Sequence, residues 1–283
     1  MNIQYIEHKS KYFPDLLRSI SSPPKGLYVA GEIPKLPMIA IVGTRAPSDY
    51  GKRVTYQLAS NLAKSGFCLV SGMAMGVDAI VHQAALDSKG ATLAVLGSGV
   101  DTPYPRANQG IYNSILQNGG TVISEYPNGT TPFKSHFPAR NRIIAGLSMA
   151  VIVTEADAKS GSLITANFAL QQDRAVMAVP GNITSLKSAG PNNLIKNGAI
   201  AITNYTDVLV YLGLQDSKMV THKPKADSKE EAIIIEILSE QALSTEQLIA
   251  KTGLDAVNIA SIISLMEITG KIRNLGAGLW ITS

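Results

Sequence analysis

The 283-residue chain contains one cysteine, Cys68, and one tryptophan, Trp280. A single thiol excludes an internal disulfide framework and a cysteine-rich zinc site. Charged residues are scarce, at 16%, where an average globular protein has about 25%. The hydrophobic fraction of 45% supplies a sizeable core, which excludes disorder or coiled coil as a description of the whole chain. No run approaches the ~18 uninterrupted apolar residues of a membrane-spanning helix. The start, Met1-Asn2-Ile3-Gln4-Tyr5-Ile6-Glu7, lacks a basic stretch followed by an apolar one, so no signal peptide is expected. The expectation is a cytoplasmic protein with no membrane span.

Familiar catalytic patterns are also missing. No G-x-x-x-x-G-K-[ST] occurs, which excludes a P-loop. Gly97-Ser98-Gly99 matches only the first two glycines of a dinucleotide fingerprint, and it falls at the third strand instead of the first. The histidines His8, His82, His136 and His222 are scattered, with no H-E-x-x-H and no carboxylate cluster, so no metal site is expected. Cys68 sits in the apolar run Phe67–Val70 and reads as a buried structural thiol. Ser71 lacks a G-x-S-x-G elbow. These absences leave binding loops without a catalytic set, and no cofactor is expected.

What is present is a rhythm. Met38–Gly43, Phe67–Gly72, Ala91–Gly97, Thr121–Ser124, Met149–Thr154 and Ala175–Val179 are short runs rich in Val, Ile and Leu. Such runs suit strands buried on both faces. Between them lie the amphipathic stretches Lys52–Lys64, Val77–Asp87, Ala107–Gln117, Ala139–Leu147 and Ser162–Gln171. Alternating strands and helices predict an α/β fold, a doubly wound parallel sheet of Rossmann-like type. Residues 1–37, with five prolines, read as an N-terminal extension; 38–214 form the α/β domain; 215–229 are a polar, Lys-rich linker; 230–283 form a compact last unit. The net charge of +4 is uneven: the front carries the positive excess and residues 230–283 are net negative. A polyanion would therefore meet the front.

In a parallel sheet the strand C-termini share one edge, and ligands bind there. The runs end in small or polar residues: Gly43-Thr44-Arg45, Ser71-Gly72-Met73-Ala74-Met75-Gly76, Gly97-Ser98-Gly99, Ser124-Glu125 and Ala158-Lys159-Ser160-Gly161-Ser162. Glycine admits a ligand close to the backbone, and the amides of a helix's first turn favour anions. Arg45, Lys134, Arg140, Arg142 and Lys159 would converge on this edge, with Phe133 and Phe137 between them. Cations that follow a backbone and rings that stack on bases are what a single-strand binder needs. Pro138 fits the first turn of a helix, which would place Arg140 and Arg142 there too, an arrangement that makes sense with an anion bound. The alternatives are structural: Arg140 and Arg142 paired with Glu125, Glu155 or Asp157, Phe137 in the core, Lys134 and Lys159 as solvated surface lysines.

Several of these segments resemble the DNA-processing protein A family (DprA, also called Smf). The carrying residues are Ile41-Val42-Gly43-Thr44-Arg45, Val70-Ser71-Gly72-Met73-Ala74-Met75-Gly76-Val77-Asp78, Leu96 to Pro105, Ile123-Ser124-Glu125-Tyr126-Pro127, Phe137 to Ser148, Glu155 to Leu163, Gly181-Asn182-Ile183 and Gly190 to Ile195. They run in the family's order over about residues 12–214. The resemblance implies a dimeric single-stranded DNA-binding protein that protects incoming DNA and loads the RecA recombinase during natural transformation, and not an enzyme. Carried over by position, Arg45, Lys134, Ser135, Phe137 and Lys159 would contact the strand. Ser71, Gly72, Ser160 and Gly161 would line its phosphate path, and Arg140, Asn141 and Arg142 belong to the signature. The chain departs from the family at Ser135, where glycine is common.

The tail resembles the winged-helix domain found in many members. Glu230–Glu240 and Thr245–Lys251 have helical period, Ser244 and Gln247 make a capping box, and Val257, Ile262, Leu265 and Ile268 mark a third helix. Lys271–Leu275 and Leu279–Ile281, joined by Gly276-Ala277-Gly278, read as a wing. The third helix presents Asn258, Ser261 and Ser264 and no cation, so a protein-contact or regulatory role is expected over duplex reading. The rival reading is a nucleotide-processing enzyme similar to the lysine-decarboxylase-like phosphoribohydrolases, using Glu155 and Ser160-Gly161-Ser162. Their P-G-G-x-G-T-x-x-E stretch is absent; Ala158 to Ala166 stands in its place.

Overall fold

The computed structural model describes residues 3–214, 226–240, 243–274 and 279–282. The chain divides into two compact units, residues 1–219 and 220–283. In the first, the elements run β1 (Ile3–Glu7), α1 (Asp15–Arg18), β2 (Gly26–Ala30), β3 (Met38–Val42), α2 (Asp49–Lys64), β4 (Cys68–Ser71), α3 (Val77–Asp87) and β5 (Thr92–Leu96). They continue with α4 (Gln109–Gln117), β6 (Thr121–Ser124), α5 (His136–Leu147), β7 (Ala150–Val153), α6 (Ser162–Gln171), β8 (Ala175–Ala178), α7 (Ala189–Lys196), β9 (Ile200–Ala201) and α8 (Tyr205–Tyr211). All six apolar runs are strands, and the five amphipathic stretches are helices.

One nine-stranded sheet has the order β1-β2-β6-β5-β4-β3-β7-β8-β9. From β6 to β9 every pairing is parallel. The chain builds outward from β3 to β6 on one side, then returns past β3 to lay down β7, β8 and β9. The switch in direction falls between β3 and β7, the crevice position for a ligand in a doubly wound sheet. Alternation within the strands covers both faces. Met38, Ala40 and Val42 of β3 pack with Leu17, Ile143 and Ala166 from α1, α5 and α6. Ile39 and Ile41 pack with Leu58 and Leu62 of α2 and Val81 of α3 on the opposite face. Leu58, Leu62 and Ala63 fall on one side of α2 at helical spacing, which is why that face is buried.

Residues 1–37, expected as an extension, are built into this sheet. β1 pairs antiparallel with β2, and β2 pairs antiparallel with β6. Leu17 is fully buried, and with Ile20 it lies where a Cβ on Gly146 of α5 would go. The segment thus covers part of α5 as well as extending the sheet.

The second unit comprises α9 (Lys229–Glu240), β10 (Leu243–Ser244), α10 (Thr245–Thr252), α11 (Ala256–Ile268), β11 (Ile272–Asn274) and β12 (Leu279–Thr282). Its sheet has the order β10-β12-β11. The capping box is present: the Ser244 side chain accepts from the Gln247 amide, and Gln247 returns to the Ser244 amide. Ile234, Leu238, Leu248, Ile259, Ile263, Met266 and Trp280 make its core. The third helix forms as expected, but the buried side is Ile259, Ile263 and Met266; Val257, Leu265 and Ile268 face outward with Asn258, Ser261 and Ser264. Of the expected linker, residues 215–225 lie outside the described residues, as does the wing tip 275–278. Asp227, at the linker's end, pairs with Lys271 at 2.5 Å and belongs to the second unit. No single helix among the described residues is long and apolar enough to cross a membrane.

Candidate nucleic-acid interface

The loops expected to form a site all leave the carboxyl ends of the parallel strands. Arg45 follows β3, Ser71 and Gly72 close β4, Lys134 follows β6 and Lys159 follows β7. The first half of α5, which Lys134 precedes, touches the end of β5 and the loop that carries Lys159. The His136 ring lies 3.1 Å, through Nδ1, from the Gly97 carbonyl at the end of β5. Phe137 occupies the space above Gly97 that a Cβ there would need. Asn141 donates to the Gly161 carbonyl at 3.3 Å, joining α5 to the loop that carries Lys159. α5 therefore lies along the edge from β5 toward β7.

Arg45, Lys134 and Lys159 are exposed. Among the described residues none of them forms an ion pair with a carboxylate. The Arg45 loop is held from both sides: the Thr44 amide donates to the Glu155 carbonyl at 2.7 Å, and the Val77 amide donates to the Thr44 carbonyl at 3.1 Å. Gly76 makes the approach possible, since it has φ +78 and any Cβ would collide with the Thr44 and Arg45 backbone. Ser135 precedes α5 with an exposed hydroxyl that caps no amide. Ser160 exchanges a hydrogen bond with Ser162 at 2.8 Å, and Gly161 stands open beside it at the start of α6.

Four expected contacts are corrected. Arg140 is only 5% exposed. Its Nη1 donates to the carbonyls of Gly72, at 2.6 Å, and Val95. Burial holds its guanidinium down to about 10, with Asp78 raising it and Arg45 lowering it. Arg142 donates to Glu125 at 2.6 Å, and both side chains are largely buried. The reason is helix register. α5 begins at His136, two residues before Pro138, so both arginines fall past the first turn, and the dipole argument for an anion beside them does not apply. Ser71 is buried and donates to the Ile41 carbonyl at 2.8 Å. The Gly72 amide donates to Asp78 Oδ2 at 3.1 Å, and its carbonyl is taken by Arg140. Arg140, Ser71 and the Gly72 amide are turned into the fold, and Arg142 is held on Glu125.

The Asp78 carboxylate also accepts from the Ala74 amide at 3.2 Å, and Asn108 Nδ2 donates to the Met73 and Ala74 carbonyls at 2.8 and 3.0 Å. Burial raises the Asp78 carboxyl, opposed by Arg140. This buried network fixes the loop after β4 beneath the edge. Glu155 is likewise structural: buried, it accepts from the Ser48 amide at 2.8 Å and the Ser48 hydroxyl at 2.5 Å, at the N-terminus of α2. With both oxygens occupied it is poorly placed as the acid or base the rival reading requires. Burial pushes the Cys68 thiol up to about 12, the state of an inert side chain.

Around the start of α5 the structure adds Tyr104, Tyr126 and His136 to the Phe133 and Phe137 rings expected from the sequence. Tyr104 lies 5.8 Å from the Phe137 ring, Tyr126 stacks on His136 at 3.9 Å, and Phe133 sits 5.8 Å from His136. Tyr104 lies in the loop after β5, and Tyr126 and Phe133 lie in the loop after β6, so only their positions after strand ends could have signalled the group.

Two family models match the chain: DNA recombination-mediator protein A over residues 4–213, and the DprA winged helix domain over residues 221–278. Protein Smf of Synechocystis sp. is 44% identical over 218 residues, 75% of this chain and 54% of that protein. Protein Smf of Escherichia coli is 42% identical over 210 residues, 74% of this chain and 56% of that one. The chain thus spans about half the length of these curated relatives. The DNA processing protein A structure from Streptococcus pneumoniae superposes with TM-score 0.70 at 40% identity, covering 74% of each chain. That from Helicobacter pylori, described for its unique single-stranded DNA binding mode, superposes with TM-score 0.67 at 33% identity, covering 75% of this chain and 96% of the other. With the α/β unit and the winged unit each matched in the same order, the chain belongs to the DNA recombination-mediator protein A family, the DprA/Smf proteins.

Proposed function

We propose that this chain is a sequence-tolerant single-stranded DNA binder that takes the strand along the carboxyl edge of its sheet. The observation that carries the reading is the set of three exposed cations, Arg45, Lys134 and Lys159, which among the described residues have no carboxylate partner and lie on loops that leave the carboxyl ends of β3, β6 and β7. Their charge attracts a phosphodiester backbone without reading its sequence, and Phe137 beside Lys134 offers a ring to an unpaired base. Ser135, Asn141, Ser160 and Gly161 flank that path. The binding mode described for the Helicobacter pylori relative supports the reading.

In this reading the protein is not an enzyme and needs no cofactor. It shields incoming DNA as a homodimer in the cytoplasm and passes the strand to RecA. The winged unit serves protein contact instead of duplex reading. Its α11 faces outward with Val257, Leu265 and Ile268 and with no cation, and the unit's negative charge opposes a duplex. A gel-shift series with single- and double-stranded oligonucleotides of equal length tests the proposal. Preferential retention of the single strand supports it; equal binding of both forms, or tight mononucleotide binding with turnover, defeats it.

A further inference from the structure

Phe133 is a phenyl ring left 64% exposed in a polar loop, next to the exposed Lys134 and Ser135. One exposed aromatic by itself marks nothing; what sets Phe133 apart is its place beside an exposed cation and against two further rings. This one is held by its surroundings. The His136 amide donates to the Phe133 carbonyl at 3.0 Å, and the two rings meet at 5.8 Å with a tilt of 59°. His136 in turn stacks on Tyr126 at 3.9 Å and 17°, and its Nδ1 approaches the Gly97 carbonyl. The loop between Tyr126 and Phe133 is pinned as well. The Gly129 amide donates to Asp101, at 2.8 Å to Oδ1, and the Gly99 amide donates to the Thr130 carbonyl at 2.9 Å. A ring fixed in this way loses little freedom when a base settles on it.

Phe137 belongs to a different aromatic pair. Neighbouring residues in a helix point about 100° apart, so His136 and Phe137 face different loops. His136 meets Tyr126 and Phe133 from the loop after β6, and Phe137 meets Tyr104 from the loop after β5. The two clusters flank the start of α5, with Lys134 and Ser135 between Phe133 and the helix. We propose that Phe133, backed by His136 and Tyr126, is a second base-stacking station beside Phe137, and that one single strand places unpaired bases on both while Lys134 holds the intervening phosphate.

This rests on the strand-binding reading above, and the experiment keeps the two apart. The full chain is titrated with a single strand of about 20 nucleotides carrying one 2-aminopurine, whose fluorescence falls on stacking. Phe133→Ala should weaken binding about tenfold and relieve part of the quenching, with Phe133→Trp retaining both. Thermal unfolding should not move, because the ring is exposed. Wild-type affinity and quenching in Phe133→Ala, while Lys134→Ala weakens binding, would overturn the second station and leave the strand site standing. A Phe133→Ala variant that keeps its DNA affinity but loses capture of a protein partner would assign the ring to that partner and also overturn the proposal. Unchanged affinity in Phe133→Ala and in the Arg45→Ala/Lys134→Ala double variant would remove the strand-binding reading itself.

Discussion

Arg140 donates to the carbonyl of Gly72 at 2.6 Å, tying the second turn of α5 to the end of β4. The guanidinium fills the place that a side chain at position 72 would take, so this glycine and this arginine depend on each other. The contact makes Arg140 a lock between helix and sheet, buried in the fold instead of offered to the proposed strand path.

Arg140→Ala should therefore cost stability. It leaves the Gly72 and Val95 carbonyls without their donor and the buried Asp78 carboxylate without its nearby cation. A loss of about 3 kcal/mol or more is expected in urea unfolding. Arg45→Ala removes an exposed side chain and should stay within about 0.5 kcal/mol of the parent. Equal losses in the two variants would contradict the assignment.

Salt dependence counts the cations that act on DNA. If Arg45, Lys134 and Lys159 each neutralise one phosphate, log K against log salt should slope at roughly −2, near −0.7 per contact on a single strand. Removing any one should flatten the slope by about 0.7. Had the buried Arg140 and the half-buried Arg142 also taken part, the slope would be roughly −3.5. Fluorescence anisotropy at several salt concentrations separates the two values.

The second unit should weaken in acid. Hydrogen bonds from the Asp227 amide and from Lys271, at 2.6 Å, hold the Glu231 carboxyl below its ordinary 4.5. A carboxyl lowered in the folded state stabilises above its unfolded pKa, and the contribution is lost as pH falls from there through the folded value. Trp280, the sole tryptophan, is buried in this unit, so its fluorescence follows this unit within the full chain. Its unfolding midpoint should drop as pH is lowered below 4.5. Glu231→Gln should flatten that fall.

Gly76→Ala should disturb binding from beneath. The backbone there has φ +78, and a methyl group would press on the Thr44 and Arg45 backbone. Strain of about 1–3 kcal/mol is expected in thermal unfolding. Because the displaced segment carries Arg45, DNA affinity should fall as well. Retained stability with retained affinity would show that the loop adapts.

The central sheet is legible because its strands are continuous apolar runs with helix-period stretches between them. Met38–Val42 and Ala150–Val153 have no other sensible reading. β1 and β2 are not legible in the same way. Ile3-Gln4-Tyr5-Ile6-Glu7 is half polar, its neighbourhood is rich in proline, and it joins the sheet only through β2, whose own antiparallel partner, β6, comes about a hundred residues later. At the site, the strand-end positions of Arg45, Lys134 and Lys159 follow from topology alone. The depth of Arg140 and Arg142 does not: it is set by how α5 docks on β4, β5 and Glu125, partners distant in sequence that no local pattern announces. Val257, Leu265 and Ile268 likewise mark a helix without saying which side is buried.

The division of α5 has one more consequence. Its opening residues border the loops of the proposed strand site, whereas Arg140 and Arg142 fasten the next turns to β4, β5 and Glu125. Mutational drift can therefore retune the grip on a ligand at positions 133 to 137 while the architecture below stays intact, and lineages carrying this fold have room to alter affinity without re-evolving the scaffold.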